Sequence, residues 1–104
     1  MDANAKAKTR KRKVEFVIEA PDAKQVFLAG SFNAWSDRKF PLKMNEQGQW
    51  RRTVLLPAGT YEYKFLVDGR WIEDPNNERK CVNVYGSFNS VVCVNGLATT
   101  ISPS

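Results

Sequence analysis

The sequence predicts an all-β domain, and three observations lead there. Apolar residues recur at every second position in several short stretches, as in Val14, Phe16 and Ile18, or Tyr61, Tyr63, Phe65 and Val67. Turn-forming residues interrupt these stretches at regular intervals: Pro21-Asp22, Asn45 to Gly48, Pro57 to Gly59 and Asp68-Gly69. No stretch carries the apolar repeat of an amphipathic helix. Seven or eight short strands of this kind fit an antiparallel β-sandwich of immunoglobulin-like type. The chain has 104 residues, 42% of them hydrophobic, with six Phe, three Tyr and three Trp. That suits one domain around one core.

The elements follow in order. Residues 1–12 are short of large apolar side chains and rich in Lys, Arg, Ala and Asn, so a disordered basic tail is expected. Residues 13–95 form the sandwich module, and residues 96–104 a flexible C-terminal tail. The first strand runs from Val14 to Ala20. Val26, Phe27, Leu28 and Ala29 make a short buried strand that Gly30 ends. Ser31, Phe32, Asn33 and Ala34 form a loop with one aromatic anchor, followed by Trp35 among Ser36, Asp37, Arg38 and Lys39. A tryptophan in that company is placed to show a flat face to solvent. Phe40, Leu42 and Met44 alternate around Pro41, which cannot donate to a ladder and so marks an edge strand. Trp50, Val54 and Leu56 share a core-facing side of the next strand. Tyr61 to Val67 is the cleanest strand, and Asp68-Gly69 is a two-residue hairpin signal leading to Arg70, Trp71, Ile72 and Glu73. A polar loop from Asp74 to Lys80 precedes a strand at Cys81 to Tyr85. A loop at Gly86 to Ser90 and a last strand at Val91 to Val94 complete the module.

Charge divides sharply along the chain. The formal net charge is +5. Residues 1–13 hold Lys6, Lys8, Arg10, Lys11, Arg12 and Lys13 against Asp2 alone, while the other 91 residues hold ten cations and ten anions. The body is neutral and gives no electrostatic footing for a nucleic acid. A contact to nucleic acid or an acidic partner would have to run through Lys6 to Lys13. No apolar run approaches the roughly 20 residues of a membrane helix, and no apolar block follows the N-terminal cations as a secretory signal would. Cys81 and Cys93 lack metal-ligand spacing and are read as buried free thiols in a reducing, cytoplasmic compartment, with a bridge between neighbouring strands as the alternative.

Catalysis finds little support. The chain has no histidine, no nucleophile elbow, no phosphate-binding loop and no dinucleotide fingerprint. Glu73 and Asp74 are a carboxylate pair without an evident cleft. No cofactor and no metal is expected.

The hairpin at Asp68-Gly69 says more. A two-residue turn sets Val67 opposite Arg70, Leu66 opposite Trp71 and Lys64 opposite Glu73. Tyr61, Tyr63, Phe65 and Val67 then take the core face, which leaves Lys64, Leu66 and Trp71 on the other. A flat indole beside an ammonium donor suits a sugar. The axial hydrogens of a pyranose stack on an aromatic ring, while its hydroxyls need donors and acceptors at the edge. Trp35 is a second platform, and two platforms set at an angle fit a curved chain.

Three runs, VFLAGSFNAW, GTYEYKFLVDGRWIEDP and GSFNSVVCV, occur in this order. Together they resemble the starch- and glycogen-binding domains of carbohydrate-binding module family 48. They are especially similar to the glycogen-binding domain of AMP-activated protein kinase beta subunits. The same module precedes the catalytic domains of branching and debranching enzymes. The resemblance covers about residues 14–94 and implies an immunoglobulin-like sandwich that binds α-1,4-linked glucan without catalysis. It implies that Trp35 and Trp71 stack on glucose rings and that Lys64 and Asn89 bind hydroxyls. Ser87 stands where the family often has a hydroxyl residue. Tyr85 stands where kinase-associated relatives often place a leucine against the sugar. The implied partners are glycogen, starch or malto-oligosaccharides, and a glycogen-metabolising enzyme or kinase complex. The chain ends at Ser104 and is read as a free-standing or an excised module. A protein-interaction scaffold that has kept this fold and lost sugar binding is the alternative.

Overall fold

A computed structural model describes residues 11–95. The tail expectations for residues 1–10 and 96–104 lie outside the described residues. Eight strands are described: β1 (Lys11–Glu19), β2 (Val26–Gly30), β3 (Lys43–Met44), β4 (Gln49–Pro57), β5 (Gly59–Val67), β6 (Arg70–Ile72), β7 (Lys80–Val82) and β8 (Phe88–Val94). They make two antiparallel sheets. One has the order β1-β4-β3. The other has the order β2-β5-β8-β7, with β6 added to β5.

The alternation read in the sequence is what buries the core. Phe16 and Ile18 of β1, Trp50, Val54 and Leu56 of β4, Val26 and Leu28 of β2, and Tyr63 and Phe65 of β5 are all buried in one cluster with Leu42. These residues come from both sheets, so the core is the layer between them. Phe32 half-buries against it, stacking at 5.9 Å on Phe40 and meeting Phe16 at 5.6 Å. Trp50 is in the core as expected, and its indole Nε1 donates to the Ala20 carbonyl at 2.8 Å.

The strand containing Pro41 sits at an edge, as its missing donor requires, and it also changes sheet. The Leu28 N–H donates to the Phe40 carbonyl and the Leu42 N–H to the Val26 carbonyl, so residues 40–42 flank β2. The next two residues, Lys43 and Met44 of β3, pair with β4 in the other sheet. The first strand begins at Lys11, inside the stretch read as tail. Lys11 and Arg12 register against Pro57 and Leu56 of β4, and that ladder holds them in spite of their charge.

The last hairpin departs from expectation. β7 ends at Val82 instead of Tyr85, and β8 begins at Phe88 instead of Val91. Asn83 causes the difference. Its Oδ1 accepts the backbone N–H groups of Tyr85 at 2.9 Å and Ser87 at 3.1 Å, which folds residues 83–87 into a turn. Asn89 therefore stands on a strand, opposite Cys81, and not in a loop. The cysteines are free, as expected, but not buried: Cys81 is half-exposed and Cys93 exposed. Strand parity explains this, because both point away from the core-facing Ser90 and Val92.

Candidate functional site

The site is built on the outer face of the larger sheet. β5 pairs with β2 so that Ala29 faces Lys64 and Gly30 faces Tyr63. The chain leaving β2 at Gly30 therefore emerges beside Glu62 and Lys64. The Ser31 Oγ accepts the Glu62 N–H at 3.2 Å and ties this exit to β5. Gly30 is needed here for space: a Cβ would lie 2.6 Å from the Glu62 carbonyl and 2.6 Å from the Phe32 ring.

A short 3-10 turn follows at Ser31–Asn33. Asn33 braces it from within. Its Oδ1 accepts the Gly30 N–H at 3.0 Å, and its Nδ2 donates to the Leu28 carbonyl at 3.1 Å. Ala34 and Trp35 then both take left-handed backbone angles, φ 58° and 56°, a conformation that costs a non-glycine residue on the order of 1 kcal/mol. The Trp35 N–H donates to the Gly30 carbonyl at 2.9 Å. The indole is held outward, 38% exposed.

On the other side of β5 the hairpin has the predicted register: Val67 opposite Arg70 and Leu66 opposite Trp71. Asp68 and Gly69 supply the positive φ angles, 48° and 84°, of a tight turn. The ladder stops at Ile72, so Lys64 and Glu73 are not a paired rung. Trp71 is 49% exposed.

Between these elements lies an open groove of about 1280 Å³. All six residues singled out in the sequence line it: Trp35, Lys64, Trp71, Tyr85, Ser87 and Asn89. They do so unequally. Trp35 and Trp71 offer aromatic surface, and Tyr85, at 89% exposure, stands at the tip of the β7–β8 turn. Asn89, at 6% exposure, is on the floor. Leu66 shares the face of Lys64 by parity but does not line the groove.

The polar groups form one hydrogen-bonded chain. Lys64 Nζ donates to Ser87 Oγ at 3.0 Å. Asn83 Nδ2 donates to the same oxygen at 3.0 Å and to Asn89 Oδ1 at 3.0 Å. Asn89 Nδ2 donates to Glu62 Oε1 at 2.9 Å. Two of these participants, Glu62 and Asn83, escaped the sequence reading. Glu62 was within reach, since it lies two residues from Lys64 and shares its face. Asn83 was hidden because residues 81–85 read as an unbroken strand. Glu73 also lines the groove, paired with Lys80 at 3.1 Å.

Behind the groove a second network holds the 74–79 loop. The buried Tyr63 hydroxyl donates to Asp74 Oδ2 at 2.6 Å and accepts from Asn77 Nδ2 at 3.0 Å. Burial first, then the Asp74 hydrogen bond, push the Tyr63 phenol well above its ordinary range. Desolvation, then the Glu62 carboxylate, raise the Cys81 thiol. The Thr60 hydroxyl and the Arg79 guanidinium lower that of Cys93. Among the described residues no group of three His, Cys, Asp or Glu is gathered to hold a metal.

The same arrangement has relatives. A family model described as the glycogen recognition site of AMP-activated protein kinase matches residues 13–99. The chain is 37% identical over 94 residues to 5'-AMP-activated protein kinase subunit beta-1 of Mus musculus, a match covering 90% of this chain and 33% of that protein. It is 39% identical over 71 residues to subunit beta-2 of Homo sapiens, covering 68% of this chain and 25% of that protein. Thus the chain spans a third or less of the length of these two relatives. A crystal structure of maltogenic amylase from S. marinus superposes with a TM-score of 0.71 at 28% identity, over 85% of this chain and 14% of that one. The chain belongs to the family of the glycogen recognition site of AMP-activated protein kinase.

Proposed function

We propose that the groove binds α-1,4-linked glucan, with Trp35 and Trp71 stacking on glucose rings and Lys64, Ser87 and Asn89 meeting their hydroxyls. The observation that carries this is the convergence of exposed aromatic rings and a hydrogen-bonded polar chain in one groove. A pyranose needs both. Its carbon face gains from an indole that water hydrates poorly, and its hydroxyls are satisfied only by fixed partners at the ring edge. Tyr85 adds a third aromatic ring at the open rim. The site performs no chemistry on the sugar.

Prior ordering makes a shallow site serviceable. The backbone that carries Trp35 is fixed by hydrogen bonds before the sugar arrives, so less loop entropy is lost on binding. Two stacked rings and a few hydrogen bonds give a dissociation constant of roughly 0.1 mM, about −5.5 kcal/mol. Such binding is reversible on a polymer with many equivalent sites. In the proposed organisation residues 13–95 are the module, and the flanking stretches join it to a glycogen-metabolising enzyme or kinase complex, which it holds on the glucan in the cytoplasm. Among the described residues no helix is long and apolar enough to cross a membrane.

Isothermal titration with maltoheptaose tests the reading. Heat of binding that disappears in Trp35→Ala and in Trp71→Ala, both still folded, supports it. A parent protein that gives no heat at millimolar sugar refutes it. A scaffold role is favoured instead if a protein partner is retained equally well by both variants.

A further inference from the structure

We propose that Asn83 sets the hydrogen-bonding polarity of the groove, an assignment that rests on the glucan reading of that groove. Asn83 is a positioning residue, since every polar capacity of its side chain is spent inside the protein. Its Oδ1 has two lone pairs, and these accept the N–H groups of Tyr85 at 2.9 Å and Ser87 at 3.1 Å. Backbone N–H groups only donate, so this end of the amide must be the oxygen. The amide nitrogen must then face Ser87 Oγ and Asn89 Oδ1, each at 3.0 Å, and its two protons serve one each.

The consequence falls on Ser87. Its hydroxyl oxygen has two lone pairs and one proton. Lys64 Nζ and Asn83 Nδ2 are both obligatory donors, each 3.0 Å away, and together they take both lone pairs. The one capacity left to Ser87 is to donate. Asn89 is set from both ends as well. Its Oδ1 receives the Asn83 proton, and its Nδ2 gives one proton to the Glu62 carboxylate at 2.9 Å. A second amide proton remains to it. Ser87 and Asn89 thus both offer donors to the groove, and a glucan hydroxyl meets them with its oxygen lone pairs. Asn83 fixes this pattern without touching sugar.

Asn83→Asp separates polarity from shape. Aspartate keeps the acceptor for the two backbone N–H groups and replaces the two amide protons with lone pairs. The Ser87 proton then turns to the new carboxylate, and Asn89 Oδ1 faces an acceptor. Affinity for maltoheptaose is expected to fall about tenfold, while the backbone amides of Tyr85 and Ser87 stay as protected from hydrogen exchange as in the parent and the melting temperature stays near its value. Asn83→Ala loses the turn and the affinity together. In a Ser87→Ala background the Asp substitution is expected to cost less than in the parent, because its main target is gone. Binding by Asn83→Asp within about twofold of the parent overturns the proposal. So does a loss of affinity accompanied by lost hydrogen-exchange protection at the Tyr85 and Ser87 amides, which would reduce Asn83 to a turn former. A parent that binds no maltoheptaose overturns the glucan reading itself, and this assignment with it.

Discussion

Trp35 and Trp50 are the same residue type put to opposite uses, and their hydrogen bonds show the difference. Trp50, 8% exposed, buries its ring between the sheets and spends its indole N–H on the Ala20 carbonyl. The backbone of Trp35 is what is bonded, to the Gly30 carbonyl, and its ring is left outside. Trp50→Ala is expected to cost about 3–5 kcal/mol in urea denaturation. Trp35→Ala is expected to stay within about 0.5 kcal/mol of the parent while losing glucan binding. Both placements were legible in the sequence, because Trp50 keeps step with Val54 and Leu56 whereas Trp35 follows a loop and precedes charges. The cysteines were not, since buriedness was inferred from apolar neighbours and strand parity turned both outward. Their environments also differ. The Thr60 hydroxyl and Arg79 guanidinium favour the Cys93 thiolate, while burial and Glu62 disfavour that of Cys81. Iodoacetamide is expected to label Cys93 faster than Cys81 at neutral pH, as peptide mapping would show.

At the scale of elements, three side-chain caps decide where strands stop and loops stand. Asp68 accepts the N–H groups of Lys24 and Gln25, each at 2.9 Å, and so fastens the turn before β2 to the β5–β6 hairpin. Asp68→Ala hands those exposed donors to water and is expected to cost about 0.5–1.5 kcal/mol by denaturant titration. Asn33 braces the Trp35 loop, and Asn83 closes the β7–β8 turn. The Asp68-Gly69 turn was legible from two adjacent residues, and with it the Leu66–Trp71 rung. The β7–β8 boundary was not, because one side-chain acceptor at Asn83 takes residues 83–85 out of the strand that their neighbours suggest. The loop over β8 depends on Tyr63, whose buried phenol stays protonated beyond its ordinary range. The unfolded chain releases that proton near its ordinary value of about pH 10. The stability this raised pKa contributes is therefore whole below that pH and is lost as pH rises toward the folded value. A fall in the urea midpoint between about pH 9 and about pH 11 is expected, and Tyr63→Phe is expected to flatten it.

For the whole molecule, the two sheets divide the work. The layer between them holds nearly all the large buried side chains, and the outer face of the larger sheet is left for the groove. This division was readable from period-two alternation alone, which assigns one face to the core and one to solvent. The meeting of the Trp35 loop, β6 and the β7–β8 turn around that face was not, because pairing order is set by long-range packing and leaves no local signature. It was the resemblance to a known family that joined those residues in advance. The body beyond residue 13 is formally neutral and the proposed ligand uncharged, so affinity is expected to change less than about twofold between about 50 and 500 mM salt, measured by titration calorimetry. The central claim is that Trp35 and Trp71 meet glucan while Trp50 holds the core. The three indole N–H resonances of the 15N-labelled protein report on this directly. With about 1 mM maltoheptaose, some tenfold above the expected dissociation constant, the signals of Trp35 and Trp71 are predicted to shift and that of Trp50 to stay. Three unmoved signals, or a shift confined to Trp50, would contradict the account.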